Sequence, residues 1–76
     1  MNTSFHTLDL DEIRSLVSGD MIKLGEFGLG IFLGKEKTEG MIASYSFLFK
    51  DGRKKSFKGT LGLMHRGLKK VIHENR

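Results

Sequence analysis

The segment between residues 19 and 34, GDMIKLGEFGLGIFLG, places five of the chain's ten glycines between two short apolar runs. Such a segment is either a phosphate-binding loop or a corner between two strands. A Walker-type loop needs Gly-Lys-Ser/Thr opening a helix, which this segment lacks. The dinucleotide-binding pattern also fails, because after Gly28 and Gly30 the third glycine, Gly34, comes one residue late. The following residues alternate as a strand does, so the segment predicts a corner.

A short helix is predicted before this corner, over residues 8–19, and residues 1–7 are expected to be loose. Asp9 and Glu12 have the spacing of a capping box, which explains the acidic cluster without a catalytic role. An apolar stripe at helical spacing follows, and Gly19 provides a left-handed exit from the helix.

Strands are predicted at residues 21–24, 30–35 and 40–50, where the apolar period becomes that of a strand. The chain has no proline, so glycine must make the turns. A two-residue loop at Asp51-Gly52 would turn Phe57 away from the other rings. A three-residue loop over 50–52 pairs residue 45 with 57 and puts four rings on one face: Tyr45, Phe47, Phe49 and Phe57.

The C-terminal tail permits two interpretations. One helical stripe is formed by Leu61, Met64, Leu68, Val71 and Ile72. Gly62 and Gly67 would each cost such a helix about 1 kcal/mol. We therefore expect a helical turn over 61–65 that is broken at Gly67 and followed by a closing strand over 68–73.

These elements predict one mainly β domain over residues 1–76, with a barrel of five strands from residue 20 onward. Residues 19–34 resemble the opening of a KOW motif, the strand-loop-strand unit that begins SH3-like barrels in ribosomal and transcription-elongation proteins. The resemblance implies an SH3-like small barrel that binds nucleic acid, or a ribosome or polymerase surface, without catalysis. KOW loops often carry basic residues, whereas this loop carries Glu26 and Phe27.

Charge is distributed unevenly along the chain. Residues 50–76 hold nine Lys and Arg against two acidic residues, whereas residues 1–49 hold four against seven. Such asymmetry is typical of a surface that binds an anionic partner, DNA or RNA, and equally of a solvated surface that keeps a small protein soluble. The predicted binding residues are seven cations and one ring that we expect to be partly exposed at a loop: Arg53, Lys54, Lys55, Lys58, Arg66, Lys69, Lys70 and Phe27.

Two other functions fit parts of this sequence. A protein-interaction module could dock its basic surface on an acidic part of a larger machine such as a polymerase or ribosome. An enzyme would have to use His6, His65 or His73, but no carboxylate pair or metal-ligand spacing accompanies them. We therefore expect no catalytic residues, no metal and no cofactor.

The chain has no cysteine, hence no disulfide or thiolate zinc site. It also lacks an apolar run of membrane-spanning length and the pattern of a signal peptide. The expectation is a soluble cytoplasmic protein, and the sequence does not determine its oligomeric state.

Overall fold

A computed structural model describes the backbone of residues 2–37, 40 and 42–74, and the side chains of 4–37, 40 and 42–72. Within these residues six strands form one antiparallel sheet in the order β1-β6-β2-β3-β4-β5. The elements are β1 (Asn2–Thr7), α1 (Leu10–Arg14), β2 (Met21–Leu24), a 3-10 turn (Gly25–Phe27), β3 (Gly28–Lys37), β4 (Ala43–Phe49), β5 (Lys54–Lys58), α2 (Leu61–His65) and β6 (Lys69–Glu74).

The mainly β class is confirmed, but the expected loose N-terminus is wrong for residues 2–7. This segment is strand β1, which pairs with β6 from Asn2 opposite Glu74 to Thr7 opposite Lys69. The sheet therefore has six described strands rather than five, and it is open, with β1 and β5 at its edges. Residues 4–7 are exposed, so the sequence carried no apolar pattern to mark the strand. Met1 lies outside the described residues.

Helix α1 is shorter than the predicted span of 8–19. The capping box forms: the Glu12 amide donates to Asp9 Oδ1 at 2.8 Å, and the Asp9 amide donates to Glu12 Oε1 at 3.2 Å. The helix ends at Arg14 because the chain beyond it bonds elsewhere. The Val17 amide donates to Asp20 Oδ2, and the Gly19 amide donates to the Phe32 carbonyl in β3.

The glycine-rich segment is a corner, as predicted. Strand β2 pairs antiparallel with the first residues of β3, and the 3-10 turn joins them. Gly30 lies so close to β4 that an added Cβ would meet the Phe49 ring at 2.8 Å and the Leu48 carbonyl oxygen at 2.9 Å.

The hairpin between β4 and β5 has the predicted register. Tyr45 lies opposite Phe57, and the Gly52 amide donates to the Phe49 carbonyl at 2.9 Å. Gly52 has a φ of +90°, the left-handed conformation that closes a three-residue loop. The strand begins at Ala43 rather than at residue 40, and Met41 lies outside the described residues.

The C-terminal prediction of a helical turn followed by a strand is also confirmed by α2 and β6. Strand β6 lies between β1 and β2, so the chain's last strand is an interior one.

A single apolar core lies on one face of the sheet, which we call the core face. The side chains of α1 and α2 cover strand residues there, and the cluster consists of Leu8, Ile13, Leu16, Ile22, Leu24, Phe32, Tyr45, Phe47, Phe49, Leu63 and Leu68. No polar or charged residue is buried among the described side chains. The opposite face, the outer face, carries Met21, Ile31 and Leu48. No helix in the described ranges is long and apolar enough to cross a membrane.

Candidate nucleic-acid interface

Two half-buried rings lie where the 3-10 turn meets strand β5. Phe27 stacks on Phe49 with centroids 5.1 Å apart and meets Phe57 edge-on at 5.9 Å. The turn folds Phe27 back onto the end of the core, where the ring packs against the core cluster and stays partly exposed. The predicted partial exposure of Phe27 is confirmed, but the ring is not isolated.

An arginine lies over each of these rings. The guanidinium carbon of Arg53 is 5.8 Å from the Phe27 centroid, and that of Arg66 is 5.3 Å from the Phe57 centroid. Both distances permit a cation–π interaction. Lys55 shares the core face with Phe57, because side chains two residues apart on a strand point the same way. We call this group the basic-aromatic patch: Phe27, Arg53, Lys55, Phe57 and Arg66.

Arg53 is already engaged within its own turn. Its backbone amide donates to Asp51 Oδ1 at 3.0 Å, and its Nε donates to Asp51 Oδ2 at 2.6 Å. The backbone hydrogen bond and then the side-chain hydrogen bond from Arg53 lower the pKa of Asp51 below 3.8. The charge of Arg53 is therefore already neutralised by Asp51 before any ligand binds.

Three lysines line edge strand β5. Lys54 and Lys58 point to the outer face, and Lys55 points to the core face. Because β5 has a neighbour on only one side, both sets of side chains reach the same free margin of the sheet. The strand rises about 3.4 Å per residue, so the lysines cover about 13 Å of this margin.

The cations differ in whether an acidic side chain neutralises them. Lys70 Nζ lies 3.7 Å from Asp20 Oδ2 on the core face near α1, away from the patch. Lys69 points to the outer face and shares a shallow pocket of about 160 Å³ with Lys23 and Arg66. Five predicted cations form no ion pair among the described side chains: Lys54, Lys55, Lys58, Arg66 and Lys69.

Sequence reasoning missed the exposure of two rings. Phe57 lies on the face of the other rings, as predicted, and packs against the core cluster, but it stays partly exposed beneath Arg66 because an edge strand has neighbours on one side only. Phe5 is 44% exposed, with Lys23 Nζ 4.9 Å from its centroid. No signal in the sequence places Phe5, since its strand was not recognised.

A cavity of about 570 Å³ lies at the other end of the sheet, and its charged lining residues are Arg14, Lys35, Glu36 and Lys37. Its cations are partly occupied: Arg14 pairs with Asp11 at 3.2 Å, and Lys35 Nζ donates to the Arg14 carbonyl at 2.8 Å. It is therefore a weaker anion site than the margin of β5.

The histidines considered as catalytic bases are separate in the fold. His6 Nε2 lies 2.5 Å from Glu12 Oε2 and joins β1 to α1, whereas His65 is exposed on α2. The His73 side chain lies outside the described residues. In the described part of the chain no three His, Cys, Asp or Glu side chains form a group that could hold a metal.

Comparison of the chain with protein-family models, with curated proteins and with solved structures gave no match.

Proposed function

We propose that this protein is a non-catalytic nucleic-acid-binding domain of low sequence specificity. The observation that carries the proposal is the row of unpaired lysines along the free margin of β5, next to the two half-exposed rings of the basic-aromatic patch. Unpaired cations neutralise phosphates, and rings stack on bases whatever the sequence.

The geometry suggests how a strand of nucleic acid binds. Its phosphates follow β5 and contact Lys54, Lys55 and Lys58, and Arg66 extends this track beyond the rings. A base stacks on Phe57 when Arg66 moves from over that ring to a phosphate, whereas stacking on Phe27 requires Arg53 to leave Asp51. Arg53 contributes chiefly by holding its turn, because binding a phosphate would require it to leave Asp51.

The proposed fold is the SH3-like barrel that the KOW-like segment implies. Supporting it is the order β6-β2-β3-β4-β5, in which a helical turn precedes a last strand that lies beside β2. On this proposal β1 is an addition to the five-stranded unit.

A second function, docking on an acidic protein surface of a machine such as a polymerase or ribosome, is favoured by a different observation. The outer face of the sheet carries exposed apolar side chains with lysines beside them, a combination typical of protein contacts.

The first test is a fluorescence-anisotropy titration with short single-stranded and duplex DNA and RNA over a salt series. Each neutralised phosphate contributes about −0.7 (single strand) to −0.9 (duplex) to the slope of log affinity against log salt. Four contacts predict a slope of about −2.8 for a single strand and about −3.6 for a duplex. Absence of binding at low salt would contradict the proposal.

Variants then locate the contacts. Replacing Lys54, Lys55 and Lys58 together by Glu should abolish binding while the circular dichroism spectrum stays unchanged, since all three are exposed. Lys55→Glu should weaken binding more than Lys37→Glu, an equal charge change two strands away from the β5 margin. Equal effects of these two single variants would show that net charge, and not the β5 margin, determines binding.

A further inference from the structure

The outer face of the sheet carries an apolar groove on three adjacent strands. Met21 in β2 lies opposite Ile31 in β3, and Ile31 lies opposite Leu48 in β4. Their side chains therefore form one row across the sheet, and they are 41%, 42% and 40% exposed. No described segment of the chain covers this row.

The groove has room for large side chains. Its volume is about 290 Å³, and apart from Lys50 its lining is apolar side chains and one glycine: Met21, Leu29, Gly30, Ile31, Leu48 and Phe49. A concave apolar surface of this kind typically receives a few anchoring side chains from a partner.

Positive charge surrounds the groove. Lys50 lines it, Lys54 lies opposite Leu48, and Lys23 lies opposite Leu29. No carboxylate lines it among the described residues, and the nearby Asp51 is held by Arg53. A complementary partner therefore combines apolar anchors with negative charge.

We infer that this groove binds a peptide segment of a partner protein in which one or two large aliphatic or aromatic side chains are flanked by Asp or Glu. The apolar side chains enter the groove, and the carboxylates contact Lys23, Lys50 and Lys54. A second copy of this chain is a poorer occupant, because a two-fold contact sets a patch against itself and would oppose these lysines to one another. A membrane is also a poorer occupant, because a flat bilayer surface does not fill a concave groove as a projecting side chain does.

The inference deepens the second proposed function, docking on an acidic protein, and does not depend on nucleic-acid binding. The groove lies on the outer face, whereas the rings of the basic-aromatic patch lie on the core face. Lys54 borders both surfaces, and Lys23 shares a pocket with Arg66 of the patch, so the decisive variants leave both lysines unchanged.

The test selects binders from a random 12-residue phage-displayed peptide library with the intact protein. Synthetic copies of the enriched peptides are then titrated against two variants of matched composition. Ile31→Ser with Leu48→Ser removes the centre of the groove. Val17→Ser with Leu61→Ser removes two exposed apolar side chains, 62% and 55% exposed, from other parts of the surface.

We expect enriched peptides that combine acidic and large apolar residues. The groove variant should lower their affinity at least about tenfold, and the control variant should leave it within about twofold. Lys50→Glu should also weaken binding, because Lys50 lines the groove. Nucleic-acid affinity should be unchanged in the groove variant, which separates this inference from the proposed function.

Three results would overturn the inference. The first is a selection that enriches no peptide, or one whose enriched peptides lack acidic residues. Enriched peptides that bind the groove variant as tightly as the wild type belong to the same result. The second is concentration-dependent self-association of the wild type in sedimentation that the groove variant abolishes, which would assign the groove to a second copy. The third is groove-dependent binding to phosphatidylserine vesicles with no peptide binding, which would assign it to a membrane surface.

Discussion

Gly30 has no side chain, and this lets strand β3 approach strand β4 closely. It is buried in β3 with an ordinary negative-φ backbone, so its role is spatial and not conformational. An added Cβ would approach both a ring and a backbone oxygen of β4 within 3 Å. Gly62, inside α2, has no atom within 4 Å of the same hypothetical Cβ.

Substituting alanine at these two glycines should have opposite effects. Gly30→Ala overpacks the contact between β3 and β4 and should lower the free energy of unfolding by about 1–3 kcal/mol. Gly62→Ala improves helix propensity without a clash and should raise it by up to about 1 kcal/mol. Urea unfolding measures both. Equal effects of the two substitutions would disprove the close packing at Gly30.

The hairpin between β4 and β5 depends on its turn as much as on its strands. Asp51 accepts the Arg53 amide and guanidinium, while Gly52 takes the left-handed conformation that the loop requires. Its register faces Tyr45 toward Phe57 and leaves the lysines at the margin of β5. The turn thus determines which side chains form the proposed binding surface.

Stability should depend on pH through Asp51. Because its pKa is lower in the folded chain than the ordinary 3.8, its ionised form stabilises the fold above that pH. This contribution is lost as the pH falls through the lower folded pKa, when Asp51 becomes protonated. In thermal unfolding, the Tm of the wild type should be higher than that of Asp51→Asn at neutral pH, and the two Tm values should converge in acid.

Ionic strength provides the control for this prediction. The pair is exposed to solvent, so the difference between wild type and Asp51→Asn should be small and should shrink further in 1 M salt. A difference that persisted unchanged in acid would assign the effect to turn geometry and not to the charge.

At the scale of the whole sheet, strand β1 contributes none of its described side chains to the core. The side chains of residues 4–7 in β1 are exposed, and the core cluster begins at Leu8, whose amide donates to the Leu68 carbonyl. Strand β1 extends the sheet through backbone pairing with β6.

Deleting residues 2–7 should therefore destabilise the protein without unfolding it. The shortened chain should keep its near-ultraviolet circular dichroism, because the packed rings remain. It should unfold at lower urea concentration, because the pairing with β6 is lost. Loss of the native spectrum in the absence of urea would mean that β1 is required for the core to form.

Local pattern determined much of this fold. The alternation around Asp51-Gly52 predicted the register of β4 and β5, since a shift by one residue would have moved the rings to the other face. Gly67 separated the helical turn from the last strand, and the glycines of residues 19–34 marked a corner. The same reasoning located Phe27 and the unpaired lysines of β5.

Other features depend on which segments meet in three dimensions. The sequence by itself determined the mainly β class, the central turns and the cationic C-terminal half, because these depend on neighbouring residues. Only the tertiary structure decided that residues 2–7 form a strand, that Asp20 neutralises Lys70, and that Met21, Ile31 and Leu48 form one groove. The physical reason is that edge pairing, ion pairing and cross-strand contacts join residues far apart in the chain. The local sequence pattern does not predict such long-range contacts.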